Sequence, residues 1–90
     1  EDYRNALKTL QQIGERVVGA LKQTVVDDLK EKGEFNKQRQ IEVLNKAKKR
    51  VSESLDASSK GILEKQVGGL HKAVEEEIEH QVGLTKGDEK

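Results

Sequence analysis

The sequence predicts an all-α domain, and three observations support this prediction. Apolar residues recur about every 3.6 residues in four successive stretches, as on one face of a helix. Proline is absent, and Leu, Lys, Glu, Gln and Val dominate the 90 residues. No stretch shows the strict alternation of apolar and polar residues that is typical of a strand. We therefore expect a long amphipathic N-terminal helix packed with two to three shorter helices, in a bundle or coiled-coil-like arrangement.

The first helix is predicted over residues 5–31, because one face stays apolar over its whole length. Gly33 follows it as a C-terminal cap, a position where glycine readily adopts a left-handed conformation. Gly14 falls on the apolar face, where the missing side chain permits close approach of the backbone of a neighbouring helix. The residues of this face are Tyr3, Leu7, Leu10, Ile13, Val17, Val18, Leu21, Val25 and Leu29.

The second helix is predicted over residues 37–56. Asn36 is a good N-cap, since its side chain can accept a hydrogen bond from a backbone N–H of the first turn. Lys48 falls on the inner face, where its aliphatic stem can cover apolar surface while the ammonium group reaches water. The apolar residues of this face are Ile41, Leu44, Ala47, Val51 and Leu55.

Two shorter helical stretches complete the chain. Ser58 and Ser59 are expected to cap a third helix that carries Ile62, Leu63 and Val67. Gly68-Gly69 then predicts a break before a fourth helix, whose apolar residues are Leu70, Val74, Ile78 and Val82. We expect one helical domain over residues 1–84 and a frayed tail over residues 85–90.

The composition argues against an enzyme. The chain has no cysteine, so thiolate chemistry, disulfides and zinc–sulfur sites are excluded. The only histidines are His71 and His80, which fall on opposite faces of the fourth helix and cannot meet at one metal ion. His71 falls on the apolar side and is expected to be half-buried or capping. We predict no catalytic residue, no cofactor, no metal and no small-molecule substrate.

Charge is balanced overall, with 17 acidic and 17 basic residues, but it is distributed unevenly. Lys46, Lys48, Lys49 and Arg50 form a basic cluster on the second helix, and Glu75, Glu76, Glu77 and Glu79 form an acidic one on the fourth. We expect these faces to steer the pairing of helices or subunits. A nucleic-acid site at residues 46–50 is the weaker interpretation, because the chain has two aromatic residues and no helix-turn-helix or zinc spacing.

One ordered set of residues resembles a known family. It begins with Gln23-Thr24-Val25-Val26-Asp27-Asp28-Leu29-Lys30 and Gly33-Glu34-Phe35-Asn36, and continues through Ala47, Val51, Leu55, Leu63, Gly68-Gly69-Leu70, Ile78-Glu79, Val82 and Lys86. Over about residues 5–86 this pattern resembles the LLH family of bacteriophage holins. The resemblance implies a small phage protein with an N-terminal membrane helix, which is not among these residues, and a soluble domain on the cytoplasmic side of the host inner membrane. It implies no catalytic residues.

The function expected on these grounds is a soluble oligomerisation or interaction domain of a holin-like protein, which clusters membrane helices for host lysis. A generic helical adaptor is the alternative, and a small nucleic-acid-binding regulator is a weaker one. We expect a homo-oligomer, because two short helical stretches can hardly cover the whole apolar face of the first helix. The predicted interface residues are Leu7, Leu10, Ile13, Gly14, Val17, Leu21 and Val25.

Overall fold

A computed structural model describes residues 2–88, with side chains described for residues 2–83. It confirms the all-α bundle: every regular element in the described part of the chain is a helix. The elements are α1 (Asp2–Leu21), a π-helical turn (Lys22–Val26), α2 (Asp27–Glu31), α3 (Lys37–Ser54), α4 (Ala57–Glu64) and α5 (Gly69–Asp88). The fourth predicted helix thus continues past Leu84 to Asp88, and the last two residues of the expected frayed tail lie outside the described residues.

The first three elements form one continuous helix, as predicted for residues 5–31. Thirty residues at about 1.5 Å each span about 45 Å, and the longest dimension of the bundle is 44 Å. Gly33 ends this helix with φ +71°. Its N–H donates to the Lys30 carbonyl at 3.0 Å, and the Glu34 N–H donates to the Leu29 carbonyl at 2.8 Å, the two bonds of a Schellman cap.

The π-helical turn was not predicted from the sequence. Thr24, Val25 and Val26 are three successive β-branched residues, which crowd the preceding turn of an α-helix. The Thr24 hydroxyl also donates to the Ala20 carbonyl at 2.8 Å, the acceptor that the α-helical N–H of the same residue would use. From this turn onward the apolar face is only partly covered, and Val25, Val26 and Leu29 are half-buried.

The caps of the next two helices are side-chain oxygens. The Asn36 side chain accepts a hydrogen bond from the Arg39 N–H at 2.9 Å, which confirms the predicted N-cap of α3. The N-cap of α4 is Asp56 instead of Ser58 or Ser59, and it accepts from the Ser59 N–H at 3.1 Å. Asp56 takes this place because its backbone is extended, while both serines already lie inside the helix.

The core lies between α1 and the three helices that pack against it, α3, α4 and α5. Gly68 and Gly69, with φ of +89° and +70°, make the predicted break before α5. The most deeply buried side chains come from α1, α3, α4 and α5. They are Leu21, Val51, Leu63, Val74 and Ile78, which have almost no exposed surface. Two predictions for core residues are wrong: Ile41 is 47% exposed, and Val67 lies in the turn after α4 and is 92% exposed.

The Asp56 cap predicts a pH dependence of stability. Hydrogen bonds from the Ser59 hydroxyl, and then from the Ser59 N–H, lower the pKa of the Asp56 carboxyl. Because the folded pKa lies below the unfolded one, the carboxylate stabilises the fold above the unfolded pKa of about 3.9, and this contribution is lost as the pH falls through the folded value. Asp56→Asn keeps an acceptor oxygen but cannot ionise. We expect the wild type to be the more stable at pH 7.

Urea unfolding of both proteins between pH 7 and pH 3 measures this difference. The difference between the urea midpoints of the wild type and Asp56→Asn should narrow below about pH 4. In this range the Asp56 carboxyl of the unfolded chain takes up a proton before that of the folded chain does. Other carboxylates titrate equally in both proteins and cancel in the comparison. A gap that stays constant down to pH 3 would contradict the lowered pKa of Asp56.

Candidate interaction surfaces

The residues of the first helix that were predicted to form an interface between subunits lie mostly inside the fold. Most of this set contributes to the core of the single chain, because α3, α4 and α5 together cover the face on which it lies. Only one of the seven residues is exposed. Leu10, Ile13, Gly14 and Leu21 are buried, Val17 and Val25 are half-buried, and Leu7 is 38% exposed.

At Gly14, where close approach of a neighbouring backbone was expected, the space is occupied by a side chain of α5. A Cβ atom at this position would lie 2.8 Å from Cγ of Glu77 on α5. The Glu77 carboxylate accepts a hydrogen bond from Gln81 Nε2 at 2.7 Å, and the Gln81 side chain is itself buried. The missing Cβ at Gly14 therefore makes room for the Glu77 side chain, which is hydrogen-bonded to Gln81 of the same helix.

A first exposed surface lies where α1 begins and α4 ends. Tyr3 is 43% exposed, and with Leu7 and Val67 it lines a cavity of about 280 Å³. We call these three residues the end patch. Its rim carries both signs of charge, since Lys72 Nζ lies 3.9 Å from Glu76 Oε1. Sequence reasoning missed Val67 because it placed this residue on a buried helix face, although the two glycines after it are a signal that the helix ends earlier.

A second surface is an open groove of about 450 Å³ at the other end of the first helix. We call it the lysine groove. Its walls come from the end of α1, the π-helical turn, α2, α3 and α5. Among the side chains that the structure describes, Lys22 and Lys30 are the charged ones that line it. Its apolar lining consists of Val18, Leu21, Val26, Phe35, Val43, Leu44, Ala47, Ile78 and Val82. The sequence pattern did not identify this groove.

The two charged clusters meet at one point. Lys48 Nζ lies 3.3 Å from Glu75 Oε2, which joins α3 to α5 and agrees with the expected steering of helix pairing. Both side chains are partly exposed, so the pair adds little stability. Lys46, Lys49 and Arg50 lie on the exposed side of α3.

The histidines are both on the surface. The His71 side chain is 82% exposed, which corrects the expectation of a half-buried residue, and its Nε2 lies 3.5 Å from Glu75 Oε2. His80 is exposed as expected. Among the side chains described for residues 2–83, no group of three or more His, Cys, Asp or Glu is placed to hold a metal ion.

Comparisons with protein families, with curated proteins and with solved structures found no match to this chain. The likeness to phage holins therefore rests on the residue pattern alone. Within the described part of the chain, no helix has both the length and the apolar character needed to cross a bilayer.

Proposed function

We propose that this chain is a non-enzymatic helical domain that self-associates through the end patch. We further propose, from the resemblance to phage holins, that it belongs to a membrane protein of the host inner membrane and clusters the attached membrane helices for lysis. The observation that carries the proposal is the exposure of three large apolar side chains around one cavity. Neighbouring exposed apolar residues of this kind commonly mark protein interfaces.

A second copy of the chain is the partner that suits this patch. Val67 projects from a turn and is 92% exposed, and the cavity lies beside it. In a twofold dimer each copy can therefore insert its Val67 into the cavity of the other. The mixed charge of the rim is also self-complementary, because Lys72 of one copy can face Glu76 of the second.

Association through so small a patch should be weak. Stable interfaces usually bury about 800 Å² on each partner, which is more than three partly exposed side chains can provide. A weak contact still suits a clustering role. When membrane helices are held in one bilayer, linked domains meet at a high effective concentration, and small affinities then suffice.

The test is the molar mass in solution. Light scattering at about 100 µM, a concentration suited to a weak dimer, should give a mass above the 10.1 kDa of one chain and a decrease on dilution. Val67→Glu should give the monomer mass at every concentration, because it places a charge in the apolar contact. Ile41→Glu is the matched control, since Ile41 is also an exposed aliphatic residue but lies outside the patch.

Two outcomes would overturn the proposal. One is a wild-type mass near 10.1 kDa that does not change with concentration. The other is an equal loss of association in both variants, which would show that added negative charge, and not the end patch, controls the effect. Circular dichroism of each variant establishes that it remains helical.

A further inference from the structure

We propose that the Gly68-Gly69 turn is a hinge, and that two copies of this chain exchange α5 across it. In the exchanged form α4 and α5 join into one continuous helix, and α5 packs on α1 and α3 of the second copy. The partner is therefore a second copy of this chain, and the surface it contacts is the one that α5 covers in the single chain. This exchange differs from the end-patch contact and does not depend on it.

The apolar pattern of α4 continues into α5 without a break. At about 100° per residue, five apolar residues on the two sides of the turn fall in one sector about 80° wide. They are Leu63, Val67, Leu70, Val74 and Ile78. Val67 is the member of this set that the closed turn leaves fully on the surface, with 92% of it exposed. A continuous helix would align Val67 with the other four, so the pattern fits the joined helix better than it fits the turn.

The closed turn depends on its two glycines. Gly68 and Gly69 have φ of +89° and +70°, values that residues with a side chain rarely adopt. A Cβ atom at Gly69 would lie 2.7 Å from Glu64 Oε1, and a Cβ atom at Gly68 would overlap the Lys72 side chain. In a joined helix both positions would lie at least about 120° from the centre of the apolar sector, on its polar side. The two glycines are therefore needed for the turn and not for the joined helix.

The turn makes few contacts that opening would remove. Residues 65–68 are exposed. The N–H groups of Lys65 and Gln66 donate to the carbonyls three residues before them, at 3.3 and 3.1 Å, and the Leu70 N–H donates to Glu64 Oε2 at 3.4 Å. In a joined helix the same N–H groups would donate to the carbonyls four residues before them. Opening therefore replaces these hydrogen bonds by helical ones.

The core contacts of α5 are the same in both forms. Val74 and Ile78 are buried in the core that α5 shares with α1 and α3. A second copy presents identical α1 and α3 residues, so an exchanged α5 recovers these contacts in the dimer. The two forms then differ mainly in the turn, and the conformation of Gly68 and Gly69 sets the balance between them.

The first experiment replaces both hinge glycines by alanine. Gly68→Ala and Gly69→Ala disfavour the closed turn, and each should shift the balance towards the joined helix by about tenfold. We expect this hinge variant to have twice the 10.1 kDa mass of one chain in light scattering, and to keep that mass on dilution. The matched control is Gly19→Ala with Gly83→Ala, because neither of these glycines has a positive φ. The control should have the mass of the wild type.

An engineered disulfide shows which chain each α5 packs on, since the chain has no cysteine of its own. A Cβ atom at Gly14 would lie 2.8 Å from Glu77 Cγ. The two Cβ atoms are then at most about 4.3 Å apart, a distance that a disulfide can span. Gly14→Cys with Glu77→Cys should therefore crosslink within one chain when the hinge is closed. Added to the hinge variant, the same pair should crosslink two chains and give a covalent dimer on a non-reducing gel.

Refolding tests the natural hinge, with both glycines in place. The chain with the Gly14→Cys and Glu77→Cys pair is unfolded in urea, refolded in reducing buffer and then oxidised. At about 1 µM we expect crosslinks within chains, and at about 100 µM a fraction of the chains should be crosslinked in pairs. A dimer formed through the end patch would leave each α5 on its own chain, so it would crosslink within chains. This test does not require that the hinge variant folds.

Three results would overturn the proposal. One is a hinge variant that stays helical by circular dichroism and has the same mass as the control. Another is a dimeric hinge variant whose disulfides all lie within single chains. The third is refolding that gives no crosslinked pairs at any concentration. A monomeric wild type would overturn the end-patch contact alone, because the exchange is measured by the crosslinks and by the hinge variant.

Discussion

Replacing Ile78 by alanine is expected to destabilise the fold by about 3 kcal/mol, within the range of about 2–5 kcal/mol for deep truncation of a buried isoleucine. Ile78 has no exposed surface and lies in the core that α1, α3 and α5 share. The lost methylene and methyl groups would leave a cavity, because neighbouring helices relax only partly. For a domain of this size the melting temperature should fall by roughly 12–24 °C.

Ile41→Ala is the matched control, because it removes the same atoms from a side chain that is 47% exposed. Alanine also has the higher helix propensity, so the expected change lies within about 0.5 kcal/mol. Urea unfolding at pH 7 measures both variants. Similar midpoints for the two would show that α3 or α5 presents a different face to the core from the one described.

The second large effect is a gain in stability from three glycines inside helices. Gly19 of α1, Gly61 of α4 and Gly83 of α5 are exposed, and an added Cβ would meet no atom within 4 Å at any of them. Alanine at such a site restricts the unfolded chain and favours the helix, by about 0.4–1 kcal/mol each. We expect the triple alanine variant to be more stable by about 2 kcal/mol, since distant sites add.

Two other glycines act as controls, because replacing them by alanine should not stabilise the fold. Gly33→Ala would force a Cβ into a left-handed backbone, with φ +71°, and should destabilise by about 1–2 kcal/mol. In Gly14→Ala the new Cβ would clash with the Glu77 side chain, which accepts a hydrogen bond from Gln81. The cost of moving Glu77 should cancel the gain in helix propensity. Urea unfolding separates these outcomes. A uniform gain at all five positions would contradict the environments described for Gly14 and Gly33.

The local features of this fold could be predicted from the sequence because they depend on neighbours along the chain. A helix end needs a glycine at Gly33 or an acceptor at Asn36, and both lie where the apolar pattern stops. Where two capping signals compete within four residues, local rules are not decisive. Asp56 caps α4 in place of Ser58 or Ser59 because the turn that buries Leu55 leaves the backbone of Asp56 extended.

The surfaces could not be predicted in the same way. An apolar stripe shows that a helix face is covered, but it does not show by what. The stripe of the first helix predicted an interface between copies, whereas Leu10, Ile13 and Leu21 are covered by helices of the same chain. The converse holds for Val67, whose apolar side chain fits a core pattern and yet lies exposed in a turn.

The sequence by itself determined the helices, the caps at Gly33 and Asn36 and the break at Gly68-Gly69, since these follow from backbone conformation and from a period of 3.6 residues. Only the tertiary structure decided which apolar residues remain exposed. The reason is geometric: a helix of about 45 Å is longer than the neighbours that pack on it, and where their cover ends depends on how all the helices meet. The end patch and the lysine groove are two places, within the described residues, where that cover is incomplete.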